Sequence, residues 1–548
     1  MKVIIVGGVA GGMSAATRLR RLDETAEIIV LDKGDYVSFA NCGLPYYVSG
    51  EISERSELLL NTPEGLKARF NLDVRVNNEV VAIDRQAKTV TIKTPTGEYQ
   101  ESYDKLLLSP GASPVVPPVI GYEVAQNVFT LRNVENLDEM MAYITQHQPQ
   151  KAVVVGAGFI GLEMVENLKL KGLEVTLVEK APHVLPPLDE EMAAYVSQEL
   201  VKQGVDVRVN TSVVEILNEG KAVRLEDGTE LATDMIIMSV GVKPATDIAK
   251  KAGLALGMRD GILVNDQYQT SDENIYAVGD AIIVKNQITG EEALISLASP
   301  ANRQGRQVAD VLAGKARQNK GSIGTAIVRV FNISAASTGL TERQVKLSGK
   351  PYKVVHTRGN DHAGYYPGAT AVTLKLIFNP ETGELYGAQG VGTKGVDKRI
   401  DVLATAIKAG LTVEDLPELE LTYAPPFGVA KDPVNMLGYV ALNVMEGLTE
   451  MIQWHEVPEK IAAGMVLLDV RNEGELSRGQ FPDSLNIPLN QLRERLDELD
   501  PNKAYLVSCA SGQRSYLAER LLKQHGFKAT NLDGAFFLYS VVRPEELI

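Results

Sequence analysis

The sequence predicts an α/β protein of several domains, and three observations predict it. The segment VIIVGGVAGGMSAATRLRRL, from Val3, reads as an apolar strand, a glycine turn and a helix. AVVVGAGFIGLEMVENL, from Ala152, repeats that order about 150 residues later. Near the other end, YLVSCASGQRSYLAERLL, from Tyr505, runs from a strand through a short loop into an amphipathic helix.

Composition bounds the function. A chain of 548 residues with 45% hydrophobic content can bury several cores. Its formal charge of −15 argues against general nucleic-acid binding, so an anionic ligand requires a local basic patch. No run of eighteen apolar residues occurs, and no membrane span is expected. The opening MKVIIVGGVAGG is better explained by a strand and glycine turn than by a secretion signal. Two cysteines build no disulfide framework, which fits a reducing, cytoplasmic setting.

The first unit is a βαβ dinucleotide fingerprint. Gly7 and Gly12 hold the outer positions of its turn, and Val9 replaces the usual middle glycine. AEIIVLDK, the second strand, ends in Asp32, placed to take ribose hydroxyls. In the second unit Gly156, Gly158 and Gly161 are all present, and VTLVEK brings Glu179 eighteen positions after the last of them. An acid there favours a free 2′-hydroxyl, hence NADH, with NADPH left open by the neighbouring Lys180. Two such units suggest one flavin site and one nicotinamide site. TSDENIYAVGDA, Thr270 to Ala281, resembles the second FAD fingerprint of the flavoproteins with two dinucleotide domains. That resemblance implies that Asp280 meets the ribityl chain. LLLSPGASP and IIMSVGVKP resemble the paired segments that close the two nucleotide domains.

From about Gly321 the pattern changes to antiparallel hairpins: TAIVRVFNISAASTGL, then AVTLKLIFNPETGELYGAQGVG with an NPETG turn. A helix, DKRIDVLATAIKAG, and a turn-rich tail, LTYAPPFGVAKDP, follow. This stretch resembles the interface domain through which such flavoproteins dimerise.

SFANCGLPYY contains one of the two cysteines, Cys42. A free cysteine is usually a small buried hydrophobe. Cys42, however, follows the first βαβ unit where a helix or loop begins, and helix N-terminal amides beside an oxidised flavin would favour a thiolate. Together GGVAGG, SFANCGLPYY and IYAVGD resemble the coenzyme A disulfide reductases, single-cysteine members of the pyridine nucleotide disulfide reductase family, over residues 1 to about 445. The resemblance implies that Cys42 forms a mixed disulfide with coenzyme A. Relatives with two cysteines four residues apart and a C-terminal His-Glu pair do not match, and NADH oxidases and peroxidases carry a histidine where Ala10 stands.

Ser14, Arg18 and Arg21 share one face of the first helix, where guanidinium groups suit phosphate. The family's matching positions contact coenzyme A, as do those of Ser38, Asn41, Asn302 and Lys431; Lys67 and Arg69 would add positive charge. HAGYYPGA and LTYAPPFGVAKDP resemble segments whose tyrosines, here Tyr365 and Tyr423, reach across the dimer to assist a leaving thiolate. Glu163, in GFIGLEM, is expected near the flavin on the nicotinamide side.

The second cysteine, Cys509, lies in a segment resembling the rhodanese active-site loop, with Gly512 and Arg514 within it. There inward N–H groups and a helix dipole stabilise a thiolate or persulfide, and Arg514 would hold substrate. LLDVRNEGELSRGQFPDSLNIPL matches the rhodanese pattern upstream, with Asp469 and Arg471 structural; Ala535 stands where a second glycine is frequent.

The organisation expected is therefore α/β, with two Rossmann-like domains, an α+β dimerisation domain and a C-terminal α/β rhodanese domain. Residues 1–110 and 246–320 would form the FAD-binding domain, 111–245 the NAD(P)H-binding domain and 321–445 the dimerisation domain. Residues 446–456 would be a linker and 457–548 the rhodanese domain. The expected protein is a homodimer with shared active sites that uses FAD and NADH and requires no metal. It would reduce coenzyme A persulfide or polysulfide. Reduction of coenzyme A disulfide, a slow sulfur sensor docking a sulfur-carrier protein, and NADH oxidase or peroxidase activity are the alternatives.

Overall fold

A computed structural model describes all residues 1–548. Packing divides the chain into one unit of residues 1–181 and 205–324 and a second of residues 182–204 and 325–548.

In the first unit, two five-stranded sheets are built on one plan. Each begins with a strand that is apolar after its first lysine, Lys2–Val6 or Lys151–Val155, which takes the centre because both its faces are covered. Parallel neighbours flank each: Glu27–Leu31 and Lys105–Leu108 in the first sheet, Glu174–Val178 and Met235–Met238 in the second. Ile275–Ala277 joins the first sheet beside Lys105–Leu108, although some 170 residues separate them. Val3, Ile4 and Ile5 are fully buried, each burial stabilising the fold by about 1.5–3 kcal/mol. The two closing segments pair with each other, Ala112–Pro114 antiparallel to Val242–Pro244.

Helix Ala298–Leu312 crosses helix Ala10–Leu22 closely. A Cβ on Gly305 would lie 2.2 Å from the carbonyl oxygen of Gly11, so only glycine permits that approach. Arg20, in the run RLRRL, is buried rather than solvated. Its guanidinium donates to the carbonyls of Asp23, Glu24, Phe70 and Asn71.

The second unit holds two sheets. An antiparallel one orders its strands as Ala326–Val330, Ile333–Gly339, Leu385–Gly392, Ala371–Phe378 and Lys353–Asn360, realising the expected hairpins. Asn379 caps the NPETG turn by accepting from the amides of Glu381 and Thr382. The other sheet is parallel, with Ala504–Ser508 between Lys528–Leu532 and Val466–Asp469. Met451–Ile452 adds a short strand beside Asn531–Leu532, so this sheet starts inside the stretch expected to be a linker. No helix is long and apolar enough to cross a membrane.

Candidate active site

The two glycine turns are near copies. Asp32 accepts from the Gly8 amide at 2.7 Å and the Gly34 amide at 2.9 Å. Glu179 accepts from the Ala157 amide at 2.6 Å and the Ala181 amide at 2.7 Å. Each carboxylate is thereby fixed at the mouth of its turn, and burial pushes that of Asp32 up. The outer glycines are needed for packing: a Cβ on Gly12 would lie 1.9 Å from the Gly7 carbonyl oxygen, and one on Gly161 1.9 Å from that of Gly156. Gly158 differs, because a Cβ there meets nothing within 4 Å. That space, at the head of helix Phe159–Leu170, fits a dinucleotide pyrophosphate. Gly158→Val is therefore expected to keep the fold within about 0.5 kcal/mol while raising the KM for NADH at least about tenfold. Gly161→Ala should instead destabilise by about 1–3 kcal/mol. Thermal unfolding and NADH titration would separate the two effects.

Cys42 is exposed in a single 3₁₀ turn, Asn41–Gly43, that leads into the short helix Leu44–Ser49. The segment hangs on the first glycine turn through the Ser38 amide, which donates to the Gly8 carbonyl at 2.8 Å. Ser38 itself has a φ of +49°, and its hydroxyl accepts from Asn61 at 3.2 Å. The Tyr46 hydroxyl donates to Glu163 at 3.2 Å, bringing helix Phe159–Leu170 to the cysteine segment. Asp280 lies at the turn Gly279–Ala281 and pairs with Arg132 at 3.0 Å. These groups set the thiol's electrostatics. Desolvation pushes it up, Glu163 and Asp280 add to that, and Arg132 alone of these pulls it down. Burial is thus the largest influence on this thiol, and Arg132 is the one of these groups that favours the anion. Arg132 and Tyr46 escaped sequence reasoning, since neither lies in a recognisable spacing.

Of the residues expected to face coenzyme A, the structure joins some and occupies others. The Ser14 hydroxyl donates to Asn302 at 2.6 Å across the glycine-lined helix crossing. Arg18, expected free for phosphate, is instead paired with Asp310 at 2.7 Å, a carboxylate also bonded by Arg317 at 2.7 Å. Asp310 is buried and meets both of these cations. Arg21 and Arg69 are exposed, Lys67 donates to Asn71 at 2.7 Å, and Asn41 opens the cysteine turn.

In the second unit Tyr365 and Tyr423 come together, their hydroxyls 3.3 Å apart, and Tyr365 is pushed up by that hydrogen bond. Both are open to solvent, Tyr365 at 78% exposure. Lys431 is exposed next to Asp432, which caps helix Pro433–Met445 and pairs with the buried Arg399 at 2.8 Å.

Cys509 directly follows strand Ala504–Ser508 and is 1% exposed. Its sulfur accepts from the Gly512 amide at 3.1 Å and the Ser515 hydroxyl at 3.4 Å, so the loop turns donors inward. Arg514, expected to hold substrate, forms a bidentate pair with Glu475 at 2.6 and 2.7 Å, and this arginine pulls that carboxyl down to about 2. Its fork is thereby taken by a carboxylate within the chain, which the spacing of the loop alone does not reveal. Asp469 and Arg471 form the expected structural pair, buried at 2.7 Å. Ala535 has a φ of +52°, the conformation that a glycine would adopt without strain.

Residues 1–305 match the model of the pyridine nucleotide-disulphide oxidoreductase family, residues 325–432 that family's dimerisation domain and residues 453–540 the rhodanese-like domain. The chain is 39% identical over 446 residues to the coenzyme A disulfide reductase of Staphylococcus haemolyticus, covering 81% of this chain and all of that one. Among solved structures it is similar to reduced Bacillus anthracis CoADR-RHD, with 52% identity, a TM-score of 0.98, and coverage of 100% and 99% of the two chains. A NAD-dependent persulfide reductase from A. fulgidus gives 40% identity, a TM-score of 0.94, and coverage of 98% and 100%.

Proposed function

The chain belongs to the pyridine nucleotide-disulphide oxidoreductase family, and on that premise we propose that it reduces coenzyme A persulfide to coenzyme A and sulfide. The observation that carries this reading is the second sulfur. Cys509 sits in a loop that aims an amide and a hydroxyl at it, the arrangement that holds a thiolate or persulfide. A reductase acting only on disulfides has no use for such a group.

Gly7, Gly12, Asp32 and Asp280 would hold FAD, and Gly156, Gly158, Gly161 and Glu179 would hold NADH; the flavin would supply two-electron transfer from the nicotinamide to a disulfide. The remaining chemistry belongs to the chain. The Cys42 thiolate attacks the inner sulfur of CoA–S–SH, forming the Cys42–S–S–CoA bond and releasing hydrosulfide. Two electrons from NADH then cleave that disulfide, regenerating the Cys42 thiolate and releasing coenzyme A as thiolate, with NAD⁺ and a proton as the other products. Arg132 favours the anion of Cys42.

Ser14 and Asn302, joined across the helix crossing, with Ser38, Asn41 and exposed Arg21 and Arg69, form the surface that receives coenzyme A. Tyr365 and Tyr423 act in a homodimer, donating a proton to the departing thiolate of the opposite site. Their exposure in the isolated chain and the match to the dimerisation domain support that placement. Glu179 selects NADH through the ribose 2′-hydroxyl. A second reading, coenzyme A disulfide as the main substrate, is supported by the Staphylococcus haemolyticus relative.

Steady-state NADH consumption with coenzyme A persulfide, polysulfide and coenzyme A disulfide decides between them. The persulfide is expected to give the highest kcat/KM, with one sulfide released per NADH. Faster turnover of the disulfide would overturn the preference.

A further inference from the structure

We propose that His356 is a positioning residue that holds the Cys509 loop from outside its own sheet. His356 lies on strand Lys353–Asn360 of the antiparallel sheet and is fully enclosed. Its backbone amide donates to Asp533 Oδ1 at 3.0 Å, and its Nδ1 meets Asp533 Oδ2 at 2.7 Å. Gln453 adds a parallel tie, donating to Asp533 at 3.0 Å and to the Val354 carbonyl at 3.2 Å. Asp533 is therefore gripped by the other sheet at both oxygens.

The grip is transmitted in three residues. After Asp533 the chain turns through Gly534, with a φ of +69°, and the strained Ala535. The next two amides then bond the sulfur loop: Phe536 to the Cys509 carbonyl and Phe537 to the Ala510 carbonyl, each at 3.0 Å. The first turn of helix Ala535–Val542 thus carries the position of Asp533 to the backbone of Cys509. An αL alanine persists only where its surroundings over-determine it, and the His356–Asp533 clamp provides that constraint.

His356 also faces a charge cluster. Lys375 stands directly opposite it on the neighbouring strand, and its Nζ bonds Asp189, Glu191 and Glu342. His356 Nε2 meets Glu191 at 3.2 Å. Four carboxylates, Asp189, Glu191, Glu342 and Asp533, thus surround the lysine and the imidazole. Burial opposes the imidazolium, but Asp533 and Glu191 win, and its pKa is pushed up to about 9. The sign follows: the clamp is at full strength below the ordinary value of 6.5 and is lost as pH rises through about 9.

The inference uses the reading of Cys509 as a sulfur-handling group only for its activity arm. Hydrogen exchange of residues 509–515 in the full-length holoenzyme tests the clamp itself. In His356→Ala those amides are expected to exchange at least tenfold faster, and sulfur transfer from thiosulfate to cyanide to fall about tenfold in kcat. NADH-driven reduction of coenzyme A disulfide should stay within twofold. His356→Asn, whose neutral amide nitrogen replaces Nδ1 without the charge, should restore part of the protection and make it insensitive to pH between 8 and 10, whereas His356→Gln, which reaches toward Glu191, should restore none. In the wild type, protection corrected for intrinsic exchange should fall between pH 8 and 10. Should His356→Ala not fold, Asp533→Asn tests the same tie with a neutral isostere and the same expected loss of protection. Unchanged exchange at 509–515 in either folded variant overturns the proposal. Absence of sulfur transfer in the wild type would overturn the reading of Cys509, and the exchange result would still decide the clamp.

Discussion

Cys42→Ser is expected to lower NADH-driven reduction of both coenzyme A persulfide and coenzyme A disulfide at least about 10³-fold. Serine cannot form the mixed disulfide, and its hydroxyl is no nucleophile near neutral pH. Flavin content and NADH affinity should be unchanged, because Cys42 hangs from the first glycine turn without packing into it. Intact mass supplies the companion reading. Wild-type protein mixed with coenzyme A disulfide should gain one coenzyme A per chain, released by NADH, and the serine variant should gain none. Undiminished sulfide release by the variant would falsify the role given to Cys42.

Cys509→Ser should divide the two substrates. Sulfur transfer to cyanide is expected to disappear, by at least about 10³-fold, since it requires a persulfide on that sulfur. Coenzyme A disulfide reduction should remain within about twofold, because the disulfide reacts at Cys42. Turnover with thiosulfate or polysulfide as donor should fall, whereas preformed coenzyme A persulfide added directly should still be reduced. A variant retaining full polysulfide turnover would show that Cys509 does not feed the reductase. Serine is nearly isosteric here, and its hydroxyl can accept from Gly512 and Ser515, so a loss reflects chemistry and not collapse of the loop.

Local chemistry was legible in the sequence; pairing between distant segments was not. The glycine turns, the acids that close them and the antiparallel hairpins follow from period and spacing, which act within about thirty residues. Cys42 and Cys509 were legible because each lies in a motif. Arg18 and Arg514 show the limit. Helical spacing puts Arg18 on the ligand-facing side, but nothing local reveals that Asp310, 292 residues on, is buried and needs it. Arg514 likewise meets Glu475 only because the parallel sheet brings their loops together. Arg132 and Tyr46 belong to no motif, and their relation to Cys42 exists only in three dimensions. His356 reads as an ordinary strand residue until the last sheet is placed against it.

The late insertion of Ile275–Ala277 beside Lys105–Leu108 has a temporal consequence. During synthesis the first sheet must wait, one flank bare, while the entire second dinucleotide fold is made and closes on itself. The helix carrying Asn302 arrives later still. The residues proposed to hold FAD are therefore complete only once Asp280 has been made, and a nascent chain stalled before residue 277 presents an unpaired strand edge to whatever binds such edges.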